Sequence, residues 1–188
     1  MLLFRKLEVS PDDPYPAYEG KTWTEGYVTV GAGQTWGQNF WWKLVNAEGV
    51  YDAAWKNNKE VVGGNCHSVG VVGWTLGGGR GWLAAVHGAG VDQVLSMTVV
   101  LADGTILNDI SFTKKPGIHK YFDSLNYFLH LYVLELFSAL RGGGGGFAVV
   151  TEMKLKLYDV SSKHWHSVFI SMNTFLDALQ FGRIADQG

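Results

Sequence analysis

Residues 63–81 read Gly63-Gly64-Asn65-Cys66-His67-Ser68-Val69-Gly70-Val71-Val72-Gly73-Trp74-Thr75-Leu76-Gly77-Gly78-Gly79-Arg80-Gly81. Glycine recurs here too often for the interior of a regular element. Each glycine loses more conformational freedom on folding than other residues and offers no side chain to pack. Such a run is either a flexible turn or backbone that must lie close to other backbone or to a ligand. Two more clusters flank it, Gly31-Ala32-Gly33-Gln34-Thr35-Trp36-Gly37 and the five glycines 142–146. The last stands between Leu136-Phe137-Ser138-Ala139-Leu140-Arg141 and a strongly alternating strand. A floppy linker rarely divides two core elements of one domain, so close approach to a ligand is the better reading.

Outward from the clusters, apolar spacing assigns the elements. Residues 26–31 form a strand of β-branched and aromatic residues, after an irregular lead-in with one short strand over 2–9. Trp36, Phe40, Trp41, Leu44 and Val45 recur at helical spacing, and a second short helix covers 51–58. Residues 60–64 return to strand. Residues 91–101 form a strand with Leu95, Met97, Val99 and Leu101 on one face, and Asp103-Gly104 turns into a partner strand at 105–107. Residues 136–140 give a helical turn or two. In 147–158, Val149, Thr151, Met153, Leu155 and Leu157 share the buried face, while Glu152, Lys154 and Lys156 face water. A strand over 165–172 and a helix capped by Asn173-Thr174 and carrying Phe175, Leu176 and Leu179 close the chain. The expected class is α+β.

The 188 residues are 47% hydrophobic and 17% charged, which excludes a disordered chain. A net charge of −2 provides no basic excess to track a phosphate backbone, so nucleic acid is not expected as a partner. No apolar run reaches the ~18 residues of a membrane span; the nearest, 127–140, is broken by His130 and Glu135. The N-terminal apolar run is too short for a signal peptide, and localisation stays open. The single cysteine, Cys66, builds no disulfide framework within the chain. His164 and His166 alternate on a strand edge with no third ligand at a suitable spacing, so no metal is expected. No Ser-His-Asp spacing stands out.

The first cluster alone invites a dinucleotide reading, since it follows a strand and opens a helix. Its spacing, G-x-G-x-x-x-G, is a variant form. Asp52 lies near the distance at which an acidic residue should close the next strand, but in a stretch that reads as helix.

All clusters taken in order are more specific. Gly31-Ala32-Gly33 with Trp36-Gly37, then 63–73, then Gly77-Gly78-Gly79-Arg80-Gly81, then Gly90-Val91-Asp92-Gln93-Val94-Leu95, then Ala102-Asp103-Gly104, then 136–152 together resemble the berberine bridge enzyme-like branch of the vanillyl-alcohol oxidase, or PCMH-type, FAD-binding family. The resemblance runs over residues 28–158. It implies FAD held along loops, its pyrophosphate met by backbone N–H groups in glycine-rich nests. Ser68, Val69 and Gly70 match the segment that contacts the cofactor. Gly73, Trp74, Gly77, Gly78, Gly79, Arg80 and Gly81 match the following loop, and Val149 matches a position near the adenine end. Cys66 matches the cysteine that many members bond to flavin carbon 6; the alternative is a small buried hydrophobe. His67, Trp74, Arg80 and Ala148 depart from the family pattern, and Arg80 is placed either to pair with a phosphate or to face solvent.

The resemblance further implies an oxidase-type reaction, with hydride passing from a substrate C–H to the flavin and molecular oxygen as acceptor. The expected division is a partial FAD-binding domain over 1–160, with an insertion at 110–134, and the start of a truncated substrate domain over 161–188. No match exists for the family's N-terminal histidine loop, and the catalytic base is expected outside this chain. On that reading the chain by itself is an inactive fragment. The alternatives are an inactive truncated or mis-spliced product and a nicotinamide-dependent reductase. Residues 110–134 hold Phe112, Tyr121, Phe122, Tyr127, Phe128 and Tyr132 without a sustained period, and are expected to pack loosely outside the sheet. The substrate is not named by the sequence.

Overall fold

A computed structural model of the chain describes residues 6–16, 21–37, 48–112 and 124–160. The expected helix through Phe40 and Val45, the strand and helix at 165–179, and His164 and His166 lie outside the described residues. Five strands form a central sheet in the order β1-β4-β8-β6-β7. They are β1 (Leu7–Ser10), β4 (Tyr27–Gly31), β6 (Val94–Val100), β7 (Ile106–Ile110) and β8 (Val149–Lys156). Every pair is antiparallel. The dinucleotide reading of the first glycine cluster implies a Rossmann fold, with parallel strands joined by crossover helices, and this antiparallel sheet excludes it. Two small ribbons flank the sheet: β2 (Tyr15–Pro16) with β3 (Thr22–Trp23), and β5 (Lys59–Glu60) with β9 (Tyr158–Asp159). The helices are α1 (Val50–Lys56), α2 (Val71–Leu76), α3 (Ala84–His87) and α4 (Ser124–Gly143). The mixture is the expected α+β class.

One continuous core lies between the sheet and the helices. Val28 and Val30 of β4, Met97 and Val99 of β6, and Met153 and Leu155 of β8 meet Val71, Val72 and Leu76 of α2 and Val133, Phe137 and Leu140 of α4. These side chains explain why the short α2 forms at all. A six-residue helix is unstable alone, but three of its residues are buried in the core. Regular structure therefore does occur inside 63–81, with Gly73 in the helix interior. The sequence-based expectation of no regular element there is corrected by tertiary packing.

Three further expectations shift. The strand expected over 91–101 begins at Val94, because Gly90–Gln93 forms a 3₁₀ turn. The strand expected over 60–64 is confined to Lys59–Glu60. In β8 the expected face breaks at its start. Val150 is buried and Val149 is 66% exposed, because the register between β6 and β8 slips between Thr98 and Val99. A bulge adds one residue and flips the side chains beyond it to the opposite face. The hairpin turn at Asp103-Gly104 forms as expected: Gly104 has φ +86° and the Asp103 carboxylate accepts the Thr105 amide at 2.8 Å.

Residues 110–134 do not pack loosely at their ends. Ile110 is 2% exposed in β7 and Val133 fully buried in α4. Phe112 packs edge-on against Phe137 with ring centroids 4.9 Å apart. The helical turn expected at 136–140 is thus the end of a 20-residue helix that starts at Ser124. Residues 113–123 lie outside the described residues.

Candidate functional site

The three glycine clusters converge on α2. The first reaches its N-terminal end. Thr35 bridges Gly70, the Val71 amide donates to the Gln34 carbonyl at 3.0 Å, the Trp36 amide to Val69 at 3.2 Å, and the Gly37 amide to His67 at 3.0 Å. This seam sets the loop 66–70 against residues 34–37. The third cluster reaches the opposite end of the helix, where the Gly144 amide donates to the Leu76 carbonyl at 3.1 Å. The sequence places these runs more than 30 residues apart on either side; the sheet brings them together.

The exposed face of the loop carries Cys66, Ser68, Val69 and Gly70. Cys66 is a free, exposed thiol, so the buried-hydrophobe alternative does not hold. Beneath the loop lies an aromatic floor. Trp36 is fully buried, stacks on Tyr51 at 5.5 Å and meets Trp74 edge-on at 5.0 Å. The Tyr51 hydroxyl donates to the Gly64 carbonyl at 2.6 Å, and burial raises its pKa far above the ordinary phenol value. The His67 ring lies against Gly37, where any Cβ would come within 2.5 Å of it, and 5.9 Å from Tyr51.

The glycines divide into two physical kinds. At Gly79 and Gly90 an added Cβ would approach the Trp74 ring to 2.5 and 2.4 Å, and at Gly81 it would lie 1.8 Å from the Gly63 carbonyl oxygen. These positions are glycine because Trp74 is wedged among them and two backbones touch. At Gly73 and Gly78 an added Cβ would meet nothing within 4 Å, and at Gly70 only the Gln34 carbonyl at 3.9 Å. Packing among the described residues does not account for glycine at Gly73. Gly78, with φ +104°, also needs glycine for its own backbone.

Gly78 and Gly79 both have positive φ, and their carbonyls accept the Val91 and Gly90 amides, so the N–H groups of Gly79 and Arg80, on the opposite side of those trans peptides, point away from residues 90–91. Among the described residues, the amides of Gly79, Arg80 and Gly81 donate to no backbone carbonyl. Arg80 is exposed beside them, in no ion pair with a described residue. An open cleft of about 410 Å³ is lined here by Trp74, Gly77, Gly78, Gly79, Arg80 and Ala89. Free amides plus a guanidinium suit an anion such as a phosphate. The buried indole Nε1 of Trp36 also has no acceptor among the described residues.

The structure thus gathers Cys66, Ser68, Val69, Gly70, Gly73, Trp74, Gly77, Gly78, Gly79, Arg80 and Gly81 around one short helix. At Gly79 and Gly81 the Cα side packs against Trp74 and the Gly63 carbonyl, so only their backbone amides remain for the open cleft. Val149 sits elsewhere, exposed on β8 opposite Val100. Residues given no site role by the sequence reading also shape the site: Tyr51, and Gly90 and Arg141, which entered only as parts of the motif order. Arg141 was detectable as the charged residue directly before the third glycine run. Among the described residues no three His, Cys, Asp or Glu side chains gather to hold a metal, and no helix is long and apolar enough to cross a membrane.

No family model matches the chain. An FAD-dependent monooxygenase of Fusarium proliferatum is 37% identical over 134 residues, 71% of this chain and 20% of that protein. An FAD-linked oxidoreductase of Hypomyces subiculosus is 32% identical over 175 residues, 90% of this chain and 23% of that protein. Among solved structures, the glucooligosaccharide oxidase of Acremonium strictum, described with a 6-S-cysteinyl, 8α-N1-histidyl FAD, superposes with a TM-score of 0.53 at 29% identity over 81% of this chain and 24% of that one. A VAO-type flavoprotein of Myceliophthora thermophila gives a TM-score of 0.56 at 27% identity over 82% of this chain and 22% of that one. The antiparallel scaffold with its glycine-lined loops is a vanillyl-alcohol-oxidase-type fold. The chain is similar to one part of FAD-linked oxidoreductases of that type, and it spans only about a fifth of the length of these relatives.

Proposed function

We propose that this chain forms part of the FAD-binding portion of a flavin-dependent oxidoreductase of the oxidase type. The observation that carries the reading is the pair of open glycines, Gly70 and Gly73, at the start of α2, beside an outward-facing nest at Gly78–Gly81. An extended dinucleotide needs both: flat backbone to lie against and unpaired amides for its pyrophosphate. The residues present fit FAD. Gly79, Arg80 and Gly81 would meet phosphate oxygens; Ser68, Val69, Gly70 and Gly73 would line the flavin side. Cys66, free and exposed on the same loop, would be the point of covalent attachment. Val149 would stand near the adenine end.

When bound, FAD would supply the hydride-accepting chemistry, with molecular oxygen as the final acceptor. The chain's own residues hold, orient and shield. The Trp36–Tyr51–Trp74 floor keeps the loop from collapsing inward, and the seam to residues 34–37 fixes the height of Cys66. No substrate contact or catalytic base is assigned among the described residues.

The test is the absorbance spectrum of the purified protein, repeated with added FAD and with added NAD. Bound flavin supports the reading. Tight NAD binding with no flavin signal overturns it.

A further inference from the structure

Arg141 touches none of the residues assigned to the cofactor, yet the loop that carries them is held from behind by the turn that Arg141 grips. Its Nε donates to the Val91 carbonyl at 2.8 Å, and its Nη2 lies 3.7 Å from the Asp92 carboxylate. The guanidinium plane also lies over Phe112 at 4.9 Å and Phe137 at 5.7 Å. The side chain is half-buried, and burial holds its pKa below the usual arginine range. At the end of α4 the chain turns sharply, with Gly142 at φ +114°, which leaves Arg141 pointing back at residues 90–92.

The gripped turn is in turn bonded to the glycine loop. The Gly90 amide donates to the Gly79 carbonyl at 2.8 Å, and the Val91 amide to the Gly78 carbonyl at 3.1 Å. The Asp92 carboxylate closes the turn by accepting the Ala89 amide at 3.0 Å. These bonds use the carbonyls of Gly78 and Gly79 on the inner side, which leaves the amides of Gly79 and Arg80, opposite them in the same trans peptides, turned away from the gripped turn. Gly78 and Gly79 are the two residues with the least steric preference for any one conformation. Without an external hold, the outward orientation of the nest has little to maintain it.

We infer that Arg141 is a positioning residue that holds the Gly77–Gly81 nest in its anion-receiving conformation, acting through the Gly90–Asp92 turn. The inference rests on the cofactor reading above. Three features of the side chain act together: a directed Nε–H, a charge paired with the Asp92 carboxylate, and a guanidinium lying over the Phe112 and Phe137 rings. Lysine supplies the charge but neither the planar fork nor the stacked face. Arg141→Lys is therefore not conservative here.

The experiment is hydrogen exchange and FAD titration on the purified chain, its Arg141→Lys variant, and its Arg141→Met variant, which keeps the length of the apolar stem. In both variants the Gly90 and Val91 amides should exchange on the order of tenfold faster, while the β8 amides keep their protection. FAD affinity should fall by a similar factor in both. Unchanged protection at Gly90 and Val91, or an equal loss throughout β8, overturns the inference; the second would make Arg141 an ordinary stabilising residue. Faster exchange with unchanged FAD affinity also overturns it, since the nest would not then depend on the grip. If the unaltered chain takes up no FAD, the cofactor reading fails. The exchange data from the same samples still decide whether Arg141 holds the turn.

Discussion

Gly73→Ala separates the two kinds of glycine in one measurement. Gly73 sits inside α2, exposed, with ordinary helical backbone and no atom within 4 Å of the position a Cβ would take. By helix propensity alone, alanine there should stabilise the protein by about 0.5–1 kcal/mol. For a chain of this size that is a rise of about 2 °C in Tm. The methyl group would, however, stand in the space assigned to the flavin. Crowding a close contact by one methyl costs about 1–3 kcal/mol, so FAD should bind on the order of tenfold more weakly. The expected outcome is a variant that melts higher and binds FAD less well. Thermal unfolding without cofactor and a flavin-fluorescence titration measure the two effects independently. A lower Tm would mean that the local packing around α2 is wrong. A higher Tm with unchanged FAD affinity would show that the open face of Gly73 belongs to no cofactor.

Three other outcomes follow from the same geometry. Cys66→Ala should leave Tm within about 1 °C, since surface substitutions usually fall within about 0.5 kcal/mol, yet should lessen the flavin retained after acid precipitation; equal retention would remove Cys66 as an attachment point. Val133→Ala should cost about 2 kcal/mol in urea unfolding, because Val133 is fully buried against the sheet; a neutral result would show that the C-terminal part of 110–134 is dispensable. Tyr158 is pushed up to about 12 by burial and then by the charges of Glu25 and Asp92, against 10.0 for the free phenol. A raised tyrosine pKa means that the folded state favours the neutral form. Its contribution is thus complete below about pH 10 and lost as pH climbs toward 12. Urea midpoints should fall across that window, and Tyr158→Phe should flatten the fall; an equally steep fall in the variant would assign the loss to other groups.

Much of the scaffold was legible because its signals are local. The alternation in β8 and the Asp103-Gly104 turn each depend on a few neighbouring residues, and they appear close to where the pattern placed them. The exposure of Val149 was not legible. It depends on a register slip against β6, a strand some 50 residues earlier, and a bulge leaves no mark in the alternation of the strand that carries it. The helix α2 was hidden for a related reason. Its glycine content argues against helix, and only the burial of Val71, Val72 and Leu76 under the sheet outweighs that preference.

The candidate site shows the same division. The order of the glycine clusters indicated that backbone approaches something, but glycine looks the same in sequence whether it makes room for protein or for a ligand. Trp74 separates the two cases. Its ring fills the space over Gly79 and Gly90, with its Nε1 against Gly64, so three glycines of the pattern serve an indole of the chain itself. Gly70 and Gly73 have no such claimant. A shorter side chain at residue 74 would free the first set and leave the second as it is. Trp74→Ala should therefore loosen the 77–81 loop and lower stability by about 2–3 kcal/mol, less than for a fully enclosed tryptophan because the ring is only partly buried. Gly79→Ala made in that background should cost less than Gly79→Ala alone, by an interaction energy of about 1 kcal/mol or more in a double-mutant cycle on urea unfolding. The positive φ of Gly79 would still carry its own strain, so the relief is partial. A cycle with no coupling would mean that backbone conformation alone sets glycine at 79. The distinction between glycines that seat Trp74 and glycines that await a cofactor would then lose its physical basis.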